Sequence, residues 1–143
     1  MTELGYVSID PGESTGWVTW DKTGQMIAQG TCRGRDALED LLESLGPVPV
    51  VVVEDFTLYK NKALQQSGSK LETVRVIGSI ESWARRNKST IKMQPASILS
   101  IAQLWSGMKM PKNHRVSHWV SAYNHGYYYL VKAGVRKLEL RDD

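Results

Sequence analysis

The sequence predicts an α/β fold: a mixed five-stranded sheet flanked by helices on both faces. Short β-type runs with tight-turn residues between them open the chain. The run Val48 to Glu54 is continuously apolar and β-branched, as a parallel strand covered on both faces must be, and amphipathic helical stretches alternate with strands after it. The order β-β-β-α-β-α-β-α-α then requires crossovers between parallel strands, which lay helices on the sheet.

Each element has its own signal. Tyr6 to Asp10 reads as a strand that Pro11-Gly12 stops sharply, leaving Asp10 at its carboxyl end. Thr15 to Trp20 and Gln25 to Thr31 form a hairpin across Asp21-Lys22-Thr23-Gly24, whose Asp and Gly suit a tight turn. Asp36 with Glu39 three positions on resembles a helix cap, and Leu38, Leu41, Leu42 and Leu45 recur at helical spacing until Gly46-Pro47. The Val48 strand ends in two acids, Glu54 and Asp55. Phe56 to Ser69 is polar and predicts a mobile loop. Lys70 to Arg86 predicts a helix with Val76, Ile80 and Trp83 on one stripe and Val74, Ile77 and Ala84 beside it. Thr90 to Gln94 is a further short strand. Pro95 suits the first turn of a helix that points Ile98, Ile101, Ala102 and Trp105 inward and ends near Gly107. A basic loop, Lys109 to Lys112, precedes the last helix, which Asn113 would cap and Gly134 would end.

The 143 residues predict one domain, 1–143, and 41% hydrophobic with 23% charged residues excludes a disordered or fibrous chain. A net charge of +3 conceals an asymmetry: 3 basic against 10 acidic residues up to Thr57, then 15 basic against 5 acidic. One part gathers carboxylates and another offers a positive surface to a polyanion, which makes nucleic acid the first partner to test. The lone Cys32 and the MTELGYVSID start, without the basic and apolar segments of a secretory signal, predict a cytoplasmic protein. Its longest apolar stretch is far short of the roughly 20 residues that span a bilayer, so no membrane role is expected.

Ligand sites in open α/β sheets lie beyond the carboxyl ends of parallel strands, and Asp10 and Glu54 reach that edge from two strands. Hard divalent cations take such oxygen ligands, so the pair predicts a Mg²⁺ site in preference to two acids that are solvated or cap a neighbouring helix. His114, His118, Ser121 and His125 share one face of the last helix. They either hydrogen-bond near the surface or bring His118, alone or together with His125, to the carboxylate edge. Without a cysteine pair or HEXXH spacing, Zn²⁺ is disfavoured.

SIDPG followed by Gly16, VVVEDF, QPASIL, Lys112 and HWVSAYNHGYYYLVKAG together resemble RuvC-like Holliday junction resolvases, most closely the short bacteriophage versions. The resemblance spans nearly the whole chain in the correct order. It implies a ribonuclease H-like fold, a homodimer, and cleavage of four-way junctions and other branched DNA with Mg²⁺ or Mn²⁺ through two ions. If the gene is phage-borne, the place of action is the bacterial host cytoplasm. Residue by residue, Asp10 matches the first-strand aspartate, Glu54 the glutamate of the next parallel strand, and His118 the first polar residue of the last-helix pattern. These three, with Ser121, are the implied catalytic and metal residues. His118 would ligate a metal or position the attacking water, and sequence does not separate the two roles.

Ser121-Ala122 departs from that pattern, falling where Asp-Ala is usual. A hydroxyl binds a divalent ion more weakly than a carboxylate does. Ser121 is then an inactivating change, a natural variant for which Asp55 or a histidine compensates, or the product of an offset alignment.

The basic half supplies the expected DNA contacts: Lys60, Lys62 and Lys70 after the Glu54 strand, and Lys109, Lys112 and Arg115 around the start of the last helix. Tyr59 falls where the resembled family places an aromatic near the junction centre, so it either stacks on an unpaired base or is a solvated surface tyrosine. Arg85, Arg86 and Lys88 instead complement a helix carboxyl end, and Trp119, Tyr123 and Tyr127 to Tyr129 are expected to pack. The Lys70 to Arg86 helix, with its broad apolar stripe, is the expected dimer face. A junction-binding protein without catalysis and a nuclease for RNA/DNA hybrids are the alternative functions.

Overall fold

A computed structural model describes residues 3–55, 68–110 and 118–138, with backbone alone for 68–70. Five strands, β1 (Leu4–Asp10), β2 (Ser14–Asp21), β3 (Met26–Arg33), β4 (Val50–Glu54) and β5 (Thr90–Gln94), form one sheet in the order β3-β2-β1-β4-β5. The first three are an antiparallel meander, and β1, β4 and β5 run parallel. The helices are α1 (Arg35–Leu45), α2 (Gly68–Arg86), α3 (Leu99–Ser106) and α4 (His118–Lys132). This is the expected α/β architecture, a mixed sheet with helices against both faces.

Alternation along the strands divides the core in two. Val7 and Ile9 of β1 and Val51 and Val53 of β4 point to one face, where Leu38 and Leu42 of α1 and Val76, Ile80, Trp83 and Ala84 of α2 bury them. On the other face Val18 and Trp20 of β2 meet Ala122, Tyr127 and Leu130 of α4, with Trp119, Tyr123 and Tyr129 packed around them. The last-helix aromatics therefore pack, as expected.

The β2–β3 turn is built as its residues predict. Asp21 Oδ1 accepts from the Thr23 and Gln25 amides at 2.9 and 3.0 Å. Two expectations are corrected. No side-chain cap opens α1: Gly34 is its N-cap, and Glu39 accepts instead from Ser79 Oγ of α2 at 2.9 Å, because the α1·α2 packing offers it a partner. The segment after Pro95 is a 3-10 turn, Ala96–Ile98, leading into α3, and only Ala102 of the predicted inward residues is fully buried. Ile101 is 41% exposed because the short α3 rests on α4 rather than on the sheet, through contacts such as the stacked Trp105 and Tyr128 rings 5.2 Å apart. Lys88 adopts a left-handed φ of 57°, and Arg86 pairs with Glu43 at 3.4 Å. Asn113 lies outside the described residues, whereas Gly134 does close α4, with its amide on Val131 O and the Val135 amide on Leu130 O. No described helix is long and apolar enough to cross a membrane.

Candidate active site

Parallel pairing brings three strand tips side by side. Ile9 lies opposite Val53 and Glu54 opposite Gln94, so Asp10, Glu54 and Gln94 end β1, β4 and β5 along one sheet edge. Helix α4 is laid across that edge by two glycines. Gly16, the β2 partner of Asp10, has the His118 carbonyl oxygen where its Cβ would be, only 2.0 Å away. One hydrogen in place of a methyl lets the start of α4 rest directly on the sheet. Further along, a Cβ on Gly126 would meet Ser8 Oγ and Trp20 Nε1 at 2.6 Å, and those two atoms are themselves hydrogen-bonded at 2.9 Å. Together the two contacts set the height of α4 over β1 and β2.

Held there, α4 delivers Ser121 and His125 to the carboxylates. Ser121 Oγ donates to Glu54 Oε2 at 3.4 Å, and His125 Nε2 lies 3.4 Å from the same oxygen. His125 is completely buried, Ser121 is 2% exposed, and the Glu54 side chain keeps 19% of its surface. Gln94 Nε2 donates to the His125 carbonyl at 2.9 Å and faces His125 Nδ1 at 3.1 Å. One residue earlier, buried Asn124 accepts from Ser106 Oγ at 2.5 Å and donates to the Met108 carbonyl at 2.9 Å. That network ties the α3 exit, and with it exposed Lys109, to the turn of α4 that carries Ser121 and His125.

The electrostatics follow from this crowding. Burial, then the hydrogen bond and negative charge of Glu54, push the Asp10 carboxyl up to about 8, against a smaller opposing hydrogen bond from Ser121. Glu54 goes the other way. Burial tends to raise it, but the His125 ring, the Asp10 proton and the Ser121 hydroxyl together bring it below the ordinary carboxylate range. Two adjacent carboxyls thus share a proton, with Glu54 the ionised member.

Such a pair fits a hard divalent cation, whose charge would remove the penalty that keeps Asp10 protonated. The donor set is two carboxylates and a hydroxyl. Among the described residues no cluster of three or more His, Cys, Asp or Glu side chains stands ready to hold a metal. Asp55 adds nothing to the set: it is exposed, with its amide on the Gln94 carbonyl at 2.7 Å.

Of the expected catalytic residues, Asp10, Glu54 and Ser121 come together. His118 is present through its backbone on Gly16, and its side chain makes no hydrogen bond or ion pair to either carboxylate among the described residues. Tyr59, Lys60, Lys62, Lys112, Arg115 and His114 lie outside the described residues, as does the side chain of Lys70. Sequence reasoning gave no role to Gln94, Ser106 or Asn124. The available signal for Gln94 was its place at the tip of the strand beside Glu54.

No protein-family model matches the chain, and no curated protein is similar to it in sequence. Solved structures are similar to it in fold. Thermus thermophilus RuvC superposes with a TM-score of 0.62 at 14% identity, covering 91% of this chain and 96% of that one. T. thermophilus RuvC in complex with a Holliday junction substrate gives 0.60 at 12% identity over the same shares. The chain therefore has the RuvC-type, ribonuclease H-like fold.

Proposed function

We propose that the chain is a divalent-metal-dependent, structure-selective endodeoxyribonuclease that cleaves Holliday junctions and other branched DNA. In this reading residues 1–143 are one RuvC-like nuclease domain of the short bacteriophage type, acting as a homodimer. The observation that carries it is the placing of Asp10 and Glu54 at neighbouring parallel strand tips, beneath a helix that sets the Ser121 hydroxyl on Glu54. The shared fold supports it, since one of the similar RuvC structures holds a Holliday junction substrate. A basic second half, 15 basic against 5 acidic residues from Leu58 onward, supports a polyanionic partner.

Bound Mg²⁺ or Mn²⁺ would supply Lewis acidity and charge neutralisation for phosphodiester hydrolysis. Asp10 and Glu54 are the residues that would hold it, and a second ion would draw on His118 and Ser121. Glu54 is the ionised member of the pair, and Asp10 would have to release its proton to act as a ligand. Ser121 fixes the Glu54 carboxylate by donating to it. Lys109, on the segment pinned by Asn124, would meet a backbone phosphate beside the site, as would Lys60, Lys62, Lys70, Lys112 and Arg115 from the rest of the basic half.

A second reading has a specific observation in its favour. Ser121 places a neutral donor on Glu54 where a further acid would strengthen cation binding, as expected of a junction-binding protein with weakened catalysis. Cleavage assays on four-way, flap, linear duplex and RNA/DNA hybrid substrates, each with Mg²⁺, Mn²⁺ or EDTA, separate the readings. Metal-dependent cutting of branched DNA, lost in Asp10→Asn with junction binding retained, is the expected result. Undiminished turnover by Asp10→Asn excludes the metal assignment, and binding without cutting favours the second reading.

A further inference from the structure

We propose that Gln94 and His125 form a clamp that fixes the Glu54 carboxylate, with His125 acting as a hydrogen-bond donor through Nε2 and not as a metal ligand. The observation behind it is an orphan: His125 Nε2 is fully buried, has no hydrogen-bond partner of good geometry, and faces Glu54 Oε2 at 3.4 Å. A buried polar atom without a partner is costly and calls for a reason.

The proton on the ring can be placed from its other side. The 2.9 Å bond to the His125 carbonyl requires an N–H donor, which identifies the Gln94 atom there as the amide nitrogen. The same NH₂ group lies 3.1 Å from His125 Nδ1, so Nδ1 must accept. A neutral ring that accepts at Nδ1 carries its hydrogen on Nε2, the atom that lies 3.4 Å from Glu54 Oε2. A ring protonated on both nitrogens would set two donors against each other at Nδ1. A ring ligating a cation through Nε2 would have to shed that hydrogen and take one at Nδ1, where the amide blocks it.

Ser121 and His125 thus direct two donors at one carboxylate oxygen, Oε2, from successive turns of α4. Oε1 is left as the oxygen that α4 does not claim. The clamp makes Glu54 present one defined oxygen to the site, a positioning role of the kind outer-shell groups play around metal ligands. Its relevance to cation binding rests on the nuclease reading above, whereas the ring tautomer does not.

The test has two arms. Long-range ¹H–¹⁵N NMR of labelled metal-free protein, with the His125 ring assigned by its loss in His125→Gln, reads the tautomer directly. The expected ring is neutral and protonated at Nε2, and Gln94→Glu, which replaces the donor with an acceptor, moves a proton to Nδ1. A ring protonated at Nδ1 with bare Nε2 in the wild type, or one indifferent to Gln94→Glu, overturns the clamp.

The second arm is Mg²⁺ titration by calorimetry. A glutamine amide can take the place of Nε2–H and an asparagine amide falls short of it. His125→Asn should therefore weaken binding about 10-fold or more, while His125→Gln stays near the wild type. Equal loss in both variants would mark His125 as a ligand, and no loss in either would remove its positioning role. Either result overturns the proposal. A wild type that binds no Mg²⁺ but holds an Nε2–H ring answering to Gln94→Glu would sink the nuclease reading and leave the clamp on Glu54 standing.

Discussion

Asp10 should make the metal-free protein lose stability as pH rises, and Asp10→Asn should remove that dependence. Its carboxyl has an ordinary value of 3.8 and is pushed up to about 8 in the fold by burial and by Glu54. Between those values the native state holds a proton that the unfolded chain has released. The Asp10 contribution is thus fully present below about pH 4, declines through the interval, and is lost above about pH 8. At 1.36 kcal/mol per unit, the decline reaches about 4 kcal/mol by pH 7, a large part of the stability of a small domain. Glu54 has the opposite sign, since its folded value is depressed. Its contribution is lost only as pH falls below the ordinary carboxylate range, outside this window. The assay is urea unfolding in EDTA from about pH 4.5 to about pH 7.5. The stability of Asp10→Asn relative to wild type should climb across that range by about 1 kcal/mol per pH unit. Adding Mg²⁺ at about 100 times its dissociation constant should stabilise the wild type by about 2.7 kcal/mol and the variant far less. Parallel pH profiles for the two proteins in EDTA would refute the shared-proton description of the site.

Three further outcomes are expected. Ser121→Asp adds a third carboxylate beside Glu54 Oε2; it should destabilise the metal-free protein, tighten Mg²⁺ binding and raise cleavage by orders of magnitude, and equal activity in both forms would discard Ser121 as an inactivating change. Gly16→Ala forces a methyl onto the His118 carbonyl, and should cost about 3 kcal/mol or more in urea unfolding while weakening Mg²⁺ binding, because α4 must lift off the sheet. Asn124→Ala leaves the Ser106 hydroxyl and the Met108 carbonyl without their partner, for a loss of about 1–3 kcal/mol and faster amide exchange at Met108–Met110 in hydrogen-exchange measurements.

Local patterns sufficed for the elements that follow a single period. The Val50–Glu54 strand, buried on both faces, and the Leu38/Leu42 stripe of α1 are legible because burial repeats at the spacing of their own secondary structure. The α1 cap and Ile101 were misread for the opposite reason. Which neighbour Glu39 bonds, and whether α3 lies on the sheet or on α4, depend on packing between segments far apart in the chain. The same division runs through the site. Asp10 and Glu54 are recognisable because an acid that ends an apolar strand must emerge at the ligand edge of a parallel sheet.

The mixed α/β sheet, the two strand-tip acids and the charge asymmetry are each written in contiguous residues, and so are legible without the fold. Packing between distant segments is what raises the Asp10 carboxyl beside Glu54, brings Ser121 and His125 to one oxygen of Glu54, and sets the Gln94 amide against the His125 ring. Those relations need β1, β4 and β5 in register and α4 seated on Gly16 and Gly126. They are set by distances of a few ångströms between residues as far apart along the chain as Ser8 and Gly126, which no local pattern encodes.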